Sequence, residues 1–456
     1  MDNLLNTVKG INGFLSGVLL IVVLVGAGIF FTVRLRFIQV RKFKDSFKST
    51  FGNIKFGAKA GKDGMSSFQS LATAIAAQVG TGNLAGAATA IAMGGPGAIF
   101  WMWLSAFFGM STIYAEATAA QKFKHKTEDG EVLGGPVYYI KAGIKGKAGE
   151  ILAGIFAVFI VLALGIFGIM VQSNSIGDSF KTAFHINPVI MGVIFAILML
   201  FIALGGVGRI ASVTEKIVPI MAGFYIIGTL VIIILNIGSV PGAFREIFVG
   251  AFSPEAVMGG AAGVGIKQAI RYGVARGLFS NEAGMGSTPH AHALAKVDHP
   301  CDQGMVAMMG LFIDTFIILT LTALVVIISG AWKDPELAGI AITQTAFNQT
   351  FKGFGTVFIA ICMLFFAFST IIGWYFFAEM NVRYLAKKHG KQVVFIFTIV
   401  VGIAIVVGSA LKVNLVWELS DMFNSLMVIP NIIGLLSVSG VVVKLSKEHD
   451  SKKKSK

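Results

Sequence analysis

The sequence predicts an all-α polytopic membrane protein of about eleven transmembrane helices, ten of them forming an inverted repeat of five plus five. Three observations predict it. Apolar stretches of crossing length recur along the chain. Lys and Arg crowd alternate connections. Two of the stretches, five apart, are interrupted by polar, glycine-rich runs.

Composition sets the class. Of 456 residues, 55% are hydrophobic and 13% are charged, with a mean hydropathy of +0.80. Soluble domains carry about 25% charged residues, which excludes a multi-domain soluble enzyme. The 55 glycines suit packed membrane helices, where small residues let backbones approach. Cys301 falls in a connection and Cys362 in a helix, so no disulfide framework is expected.

Stretches able to cross roughly 30 Å of hydrocarbon lie at 12–33, 66–93, 97–120, 150–173, 187–205, 216–238, 263–292, 304–331, 354–381, 392–410 and 421–443. The first lacks a basic leader and a small-residue cleavage site, so it reads as a retained helix. Assigning the connections to alternate sides puts 28 Lys and Arg on one side and 6 on the other, with Lys267, Arg271 and Arg276 inside the seventh span. Basic loops stay in the cytoplasm. The expected placement is therefore the inner (cytoplasmic) cell membrane, N-terminus outside and C-terminus cytoplasmic. The basic runs 34–62 and 444–456 then face anionic lipid. They account for the net charge of +14 without nucleic acid as a partner, since no recognition fold or interleaved aromatics accompany them. Leu35–Phe56 fits an amphipathic interfacial helix.

The interruptions carry the functional signal. The second span holds Gln78-Val79-Gly80-Thr81-Gly82-Asn83 at its centre, and the seventh holds GLFSNEAGMGSTPHAHALA from Gly277 to Ala295. Each glycine disfavours a helix interior by about 1 kcal/mol, and the polar side chains compete for backbone hydrogen bonds. Unwound backbone inside a membrane is tolerated only where protein buries it or it lines a watery cavity. Two breaks thus imply one shared polar centre. Spans five apart run in opposite directions, as an inverted repeat with its site at the repeat interface requires. The expected organisation is an extra N-terminal helix and basic segment (1–65), a first repeat (66–240), an external cap or re-entrant piece (241–262), a second repeat (263–443) and a basic tail (444–456).

Charges within spans are functional candidates by default. Glu116 and Glu379 fit helix-end positions better than transport chemistry. Arg276 fits a structural ion pair, with Glu282 as an available partner. Asp314 is open to a second cation site or a proton step. His290 and His292 are two apart and sit on different helix faces, so no metal pair is expected. GTGNLAG spaces its glycines one residue too long for a dinucleotide fingerprint, and no strand precedes it. No catalytic constellation is present, so the chain does not read as an enzyme.

The runs QVGTGNLAG, GGPGAIFWMW and GLFSNEAGMGSTPHAHA resemble those of the alanine/glycine:cation symporters, also called sodium:alanine symporters, over essentially the whole chain. The resemblance implies a LeuT-type core of ten helices with one added N-terminal helix. It also implies import of alanine or glycine with Na⁺ by alternating access, with no organic cofactor; a monomer is compatible with it, and the sequence leaves the oligomeric state open. Half-helix N-termini suit a carboxylate. The substrate residues implied are Gln78, Gly80, Thr81, Gly82 and Asn83 from one break and Gly277, Leu278, Phe279, Ser280 and Asn281 from the other. Phe279 would close over a small side chain. The Na⁺ ligands implied are the carbonyls of Ala76, Val79 and Phe366 with the hydroxyls of Ser369 and Thr370, hard oxygens for a hard cation. Those hydroxyls would also fit bonds back to their own helix. Coupling to H⁺, another small amino acid or amine, and, less well, a channel remain the alternatives.

Overall fold

Backbone in hydrocarbon must pair within the chain, and this chain does so almost wholly with helices. The computed structural model describes residues 2–15, 19–52, 57, 59–61, 63–128, 130–253, 265–387, 390–411 and 413–454. Among the described residues, seven helices are long and apolar enough to cross a membrane: Ala98–Phe123, Lys147–Phe184, Gly206–Leu235, Pro300–Ser329, Phe354–Ala386, Gly390–Ala410 and Asn414–Ser437. Leu20–Arg34 and Pro188–Ala203 are equally apolar but shorter. The remaining expected spans are the two broken helices.

Several boundaries move. The expected first span, 12–33, is a helix Asp2–Phe14 followed by Leu20–Arg34, with 16–18 outside the described residues. Leu35–Phe56 is not one helix. Arg36 and Phe37 take left-handed conformations (φ 56° and 54°) and turn the chain into Ile38–Arg41 and Phe43–Phe51. The fourth span runs on to Phe184, eleven residues past its expected end. The segment expected as a cap begins as helix Val240–Phe252; 254–264 lie outside the described residues, as does Lys412. Fully described π-helical stretches inside spans are Gly82–Gly86, Ala163–Gly168 and Phe312–Leu319. Such bulges insert a residue and recur at functional sites.

Small residues set the packing. Helix Leu20–Arg34 lies so close to Ala98–Phe123 that a Cβ on Gly28 would come within 2.7 Å of Phe108 Cβ. Ser111 Oγ donates to the Gly28 carbonyl at 3.0 Å across that contact. Gly97 abuts the Gly250 carbonyl, and Trp101 Nε1 donates to Ala251 O at 3.1 Å beside it.

Several segments assigned to the basic side are joined to one another by ion pairs. Lys296 pairs with Asp63, Arg383 with Glu131, and Arg41 and Lys42 with Asp450 of the last helix, Ser439–Lys454. Met65 and Leu294–Lys296 pair like strands: Met65 N–H donates to Leu294 O at 2.9 Å and Lys296 N–H to Met65 O at 3.0 Å. This ties the start of one broken helix to the end of the other. The strand pair His125–Lys126 with Val132–Leu133 lies on the same stretch of basic connection.

Close approach has an energetic signature. Gly97→Ala should destabilise by about 1–3 kcal/mol, because its Cβ would run into backbone of Gly250 and Ala251. Gly154→Ala, where a Cβ meets nothing within 4 Å, should be neutral or stabilising by up to about 1 kcal/mol. Thermal unfolding of the purified variants would show it; equal effects would contradict the packing.

Candidate functional site

The first broken helix starts at a capping box. Ser66 Oγ accepts the Gln69 N–H and Gln69 Oε1 accepts the Ser66 N–H, opening helix Ser67–Gln78. It ends where Val79 turns extended (φ −82°, ψ 91°). A continuing helix would spend the Gly80 N–H on the Ala76 carbonyl. That N–H instead donates to Asn83 Oδ1 at 3.0 Å, so the Ala76 carbonyl loses its helical partner. The helix Phe354–Ala386 fills the gap. Thr370 Oγ1 lies 2.9 Å from Ala76 O, 3.4 Å from Val79 O and 3.0 Å from Phe366 O. Ser369 Oγ lies 3.3 Å from Ala76 O and 3.0 Å from Phe366 O. The five residues that the resemblance implies as ion ligands therefore lie together, and the bonds back to Phe366 are present as well. Gly80 has to be glycine here, since a Cβ would run into Thr370 Oγ1.

In the second broken helix, the unwound part takes up only the middle of the run Gly277–Ala295. Gly277, Leu278, Phe279, Ser280 and Asn281 form the last turns of an intact helix, Ile266–Asn281. The break follows, at Glu282 (φ 58°), Gly284 (φ 84°) and Gly286 (φ 79°), before helix Pro289–Ala293. Glycine count did not place it; the positive φ angles did. Gly277 stays helical and packs toward Met102 and Ser105.

Glu116 holds this loop. Its carboxyl accepts the N–H of Gly284 and of Gly286, each at 3.0 Å, and Asn431 Nδ2 at 2.6 Å. Asn431 also donates to Gly284 O at 2.8 Å. Glu116 is fully buried, so the helix-end reading of it is corrected: unwound N–H groups drew the carboxyl inward. Glu282 accepts from Ser287 Oγ and Trp374 Nε1. Arg276 does form a structural pair, with Asp421, Nη1 and Nη2 donating to its two carboxyl oxygens at 3.0 and 2.7 Å, while stacking over Trp417. Glu379 pairs with Arg383 one turn on.

The breaks meet. Gln78 Nε2 donates to Asn281 O at 2.7 Å. Asn83 Nδ2 donates to Asp314 Oδ1 at 2.7 Å, and Ser280 Oγ donates to the same carboxyl at 3.0–3.1 Å. A Cβ on Gly82 would sit 3.1 Å from Ser280 Cα and 3.2 Å from Phe279 Cδ1. Phe279 is backed by Trp374 edge-on (5.6 Å) and by Trp417 (4.8 Å). Leu278 is buried beside it.

One central residue was missed. Gln172 Oε1 accepts both the Thr81 N–H (3.0 Å) and Thr81 Oγ1 (2.6 Å). The signal was the polar run Gln172–Ser175. Ending the fourth span at 173 made that run look like the start of a connection. His290 is stacked between Phe156 and Phe377 and bonded to Asn381, and His292 to Gln303. Both cysteines are buried and unpaired. Among the described residues no three His, Cys, Asp or Glu gather as a metal cluster.

The profile of the sodium:alanine symporter family matches residues 1–456. The chain belongs to that family. It is 42% identical over 457 residues to the sodium/alanine symporter AgcS of Methanococcus maripaludis, covering 99% of this chain and 98% of the relative. It is 40% identical over 457 residues to the probable sodium/glutamine symporter GlnT of Bacillus subtilis, covering 100% and 93%. The structure of MhsT in complex with L-phenylalanine superposes with a TM-score of 0.58 at 15% identity, over 84% of this chain and 89% of that one. The sodium:alanine symporter chain thus has the LeuT-type fold, is a multi-pass membrane transporter and is not an enzyme.

The Glu116 clamp is testable in the symporter. Glu116→Leu would leave two buried N–H groups unpaired, at about 1–3 kcal/mol each. Glu116→Gln keeps an acceptor and should cost less. Thermal unfolding with uptake assays should rank Leu well below Gln; an inverted order would contradict the clamp.

Proposed function

We propose that this symporter imports alanine or glycine together with Na⁺ by alternating access. The observation that carries the reading is the oxygen set at the first break. A carbonyl released by unwinding, that of Ala76, meets the hydroxyls of Ser369 and Thr370, which also reach the carbonyls of Phe366 and, from Thr370, Val79. Hard oxygens from two different helices suit a coupling ion. Held there, Na⁺ would join the first broken helix to Phe354–Ala386.

Substrate is proposed between the two breaks. The Gly80, Thr81 and Gly82 backbone, with Thr81 and Asn83 side chains, would take the carboxylate. Asn83 Oδ1 and Gln172 Oε1 now accept the Gly80 and Thr81 N–H groups and would turn away as substrate arrives. The closeness of Gly82 to Phe279 and Ser280, with two tryptophans behind Phe279, supports a small side chain. That wall is the reason to favour alanine or glycine, even though a relative is named for glutamine. The 28-to-6 division of basic residues supports a cytoplasmic C-terminus in the inner membrane.

The test is labelled alanine and glycine uptake into proteoliposomes holding this protein alone. Accumulation should require an inward Na⁺ gradient. The Ser369→Ala/Thr370→Ala variant should need roughly tenfold or more Na⁺ for half-maximal uptake, the loss of charge-assisted contacts worth about 1.5–3 kcal/mol. Accumulation driven by a pH gradient without Na⁺ would replace the ion; an unshifted Na⁺ requirement in the variant would remove the assigned site.

A further inference from the structure

We propose that the outward face of the helix Phe43–Phe51 is a binding surface for anionic phospholipid, and that lipid held there presses the helix onto the surroundings of the transport site. The proposal is independent of the coupling ion and of the substrate. Basic composition alone turns this segment toward lipid; the structure adds which side chains form the surface and what lies behind them. The helix carries two stripes. Phe43, Ser46 and Thr50 point inward, with Ser46 and Thr50 buried. Lys44, Phe47, Lys48 and Phe51 point outward. Phe47 is 54% and Phe51 41% exposed, with their rings 4.8 Å apart. Spacings of three and four keep each stripe on one side. Val40, just before the helix, is exposed as well and lengthens the apolar strip.

Depth decides what covers this face. Phe43 meets Phe312 edge-on at 4.9 Å. At 1.5 Å per residue, Phe312 lies about 18 Å along the 30-residue span that starts at Pro300. Such a span is about 45 Å long against roughly 30 Å of hydrocarbon. Phe43 therefore touches it inside the apolar layer and not above it. The outward phenylalanines then meet acyl chains, and the lysines beside them extend their stems to the headgroups. Arg34, Arg36, Lys44 and Lys48 are exposed and make no ion pair among the described residues. The one acid of the helix, Asp45, is held by Lys42, and Arg41 and Lys42 are held by Asp450. Unspent positive charge at headgroup level favours anionic over zwitterionic lipid. Behind the face, Phe43 packs with Phe312 and Phe316 on a small apolar cluster that includes Ala283 of the second break. Phe312 opens the π-helical turn that presents Asp314 to Asn83 and Ser280. At the other end, Thr50 borders a cavity of about 340 Å³ shared with Ser67, where the first broken helix starts, and Lys296, past the end of the second. One short helix thus has lipid on one side and the surroundings of both breaks on the other.

A bimane label on Phe47→Cys reads the surface directly, since both native cysteines are buried. The protein is placed in phosphatidylcholine vesicles with a minor share of phosphatidylglycerol, and one lipid or the other carries brominated chains. Each Lys near an anionic headgroup is worth about fivefold in affinity. Quenching should therefore report phosphatidylglycerol enriched about twentyfold at residue 47. The enrichment should fall to the bulk share in Lys44→Gln/Lys48→Gln and in high salt. Enrichment that survives the double variant would overturn the surface, as would no quenching by either lipid, or quenching by each in proportion to its share. Labelled-alanine uptake reads the coupling. Its initial rate should rise about fivefold as phosphatidylglycerol is added. That rise should vanish in Lys44→Gln/Lys48→Gln but persist in Lys444→Gln/Lys447→Gln, which removes the same charge from the exposed side of the last helix. A rise lost equally in both variants, or no rise in wild type, would overturn the coupling. If neither alanine nor glycine moves, the transport reading above fails, and the quenching alone decides this one.

Discussion

Everything in the centre of this molecule depends on where unwound backbone finds its hydrogen bonds. In hydrocarbon an unpaired N–H or C=O costs several kcal/mol, so a helix breaks only where side chains replace the ladder. At the first break Asn83 and Gln172 take the N–H groups of Gly80 and Thr81, and Ser369 and Thr370 reach the released carbonyls. At the second, Glu116 takes those of Gly284 and Gly286. The same groups that make unwinding tolerable are those able to exchange their bonds for a ligand or an ion. Structural repair and transport chemistry use one set of atoms.

Polarity within the spans follows from that. Buried Gln78, Asn83, Gln172, Ser280 and Asp314 are not scattered defects in an apolar bundle. They form a continuous bonded core from Phe354–Ala386 through both breaks to the π turn at Asp314. The aromatic wall of Phe279, Trp374 and Trp417 bounds it on one side. Arg276 lies behind that wall, on the Trp417 ring and against Asp421, with its charge spent on structure.

The spans and both broken helices were legible because a membrane imposes a coarse grammar of length, charge side and glycine clustering. Ser369 and Thr370 were legible as paired hydroxyls in an apolar run, though their partners came from the family resemblance. What failed was local. The run Gly277–Ala295 did not show where within it the helix opens, since a glycine can remain helical where a neighbour packs on it, and only left-handed φ angles locate the break. Glu116 looked like a helix end because its partners come from the far loop. Gln172 was lost to a boundary drawn eleven residues short of Phe184. The structural pair of Arg276 was legible but not its partner: Glu282 is the acid near in sequence, and folding delivers Asp421. Each miss concerns a contact whose partner is remote in the chain.

That remoteness has an engineering consequence. The conformation of Glu282–Gly286 depends on Glu116, 168 and 170 residues away from the amides it holds, and on Asn431, 147 residues from the Gly284 carbonyl. The glycine-rich motif is therefore not a portable module. Grafted into another ten-helix scaffold, it would bring the residues that need support without those that supply it. Its shape belongs to the whole chain, and chimaeras within this family should be cut so that 116, 282–286 and 431 travel together.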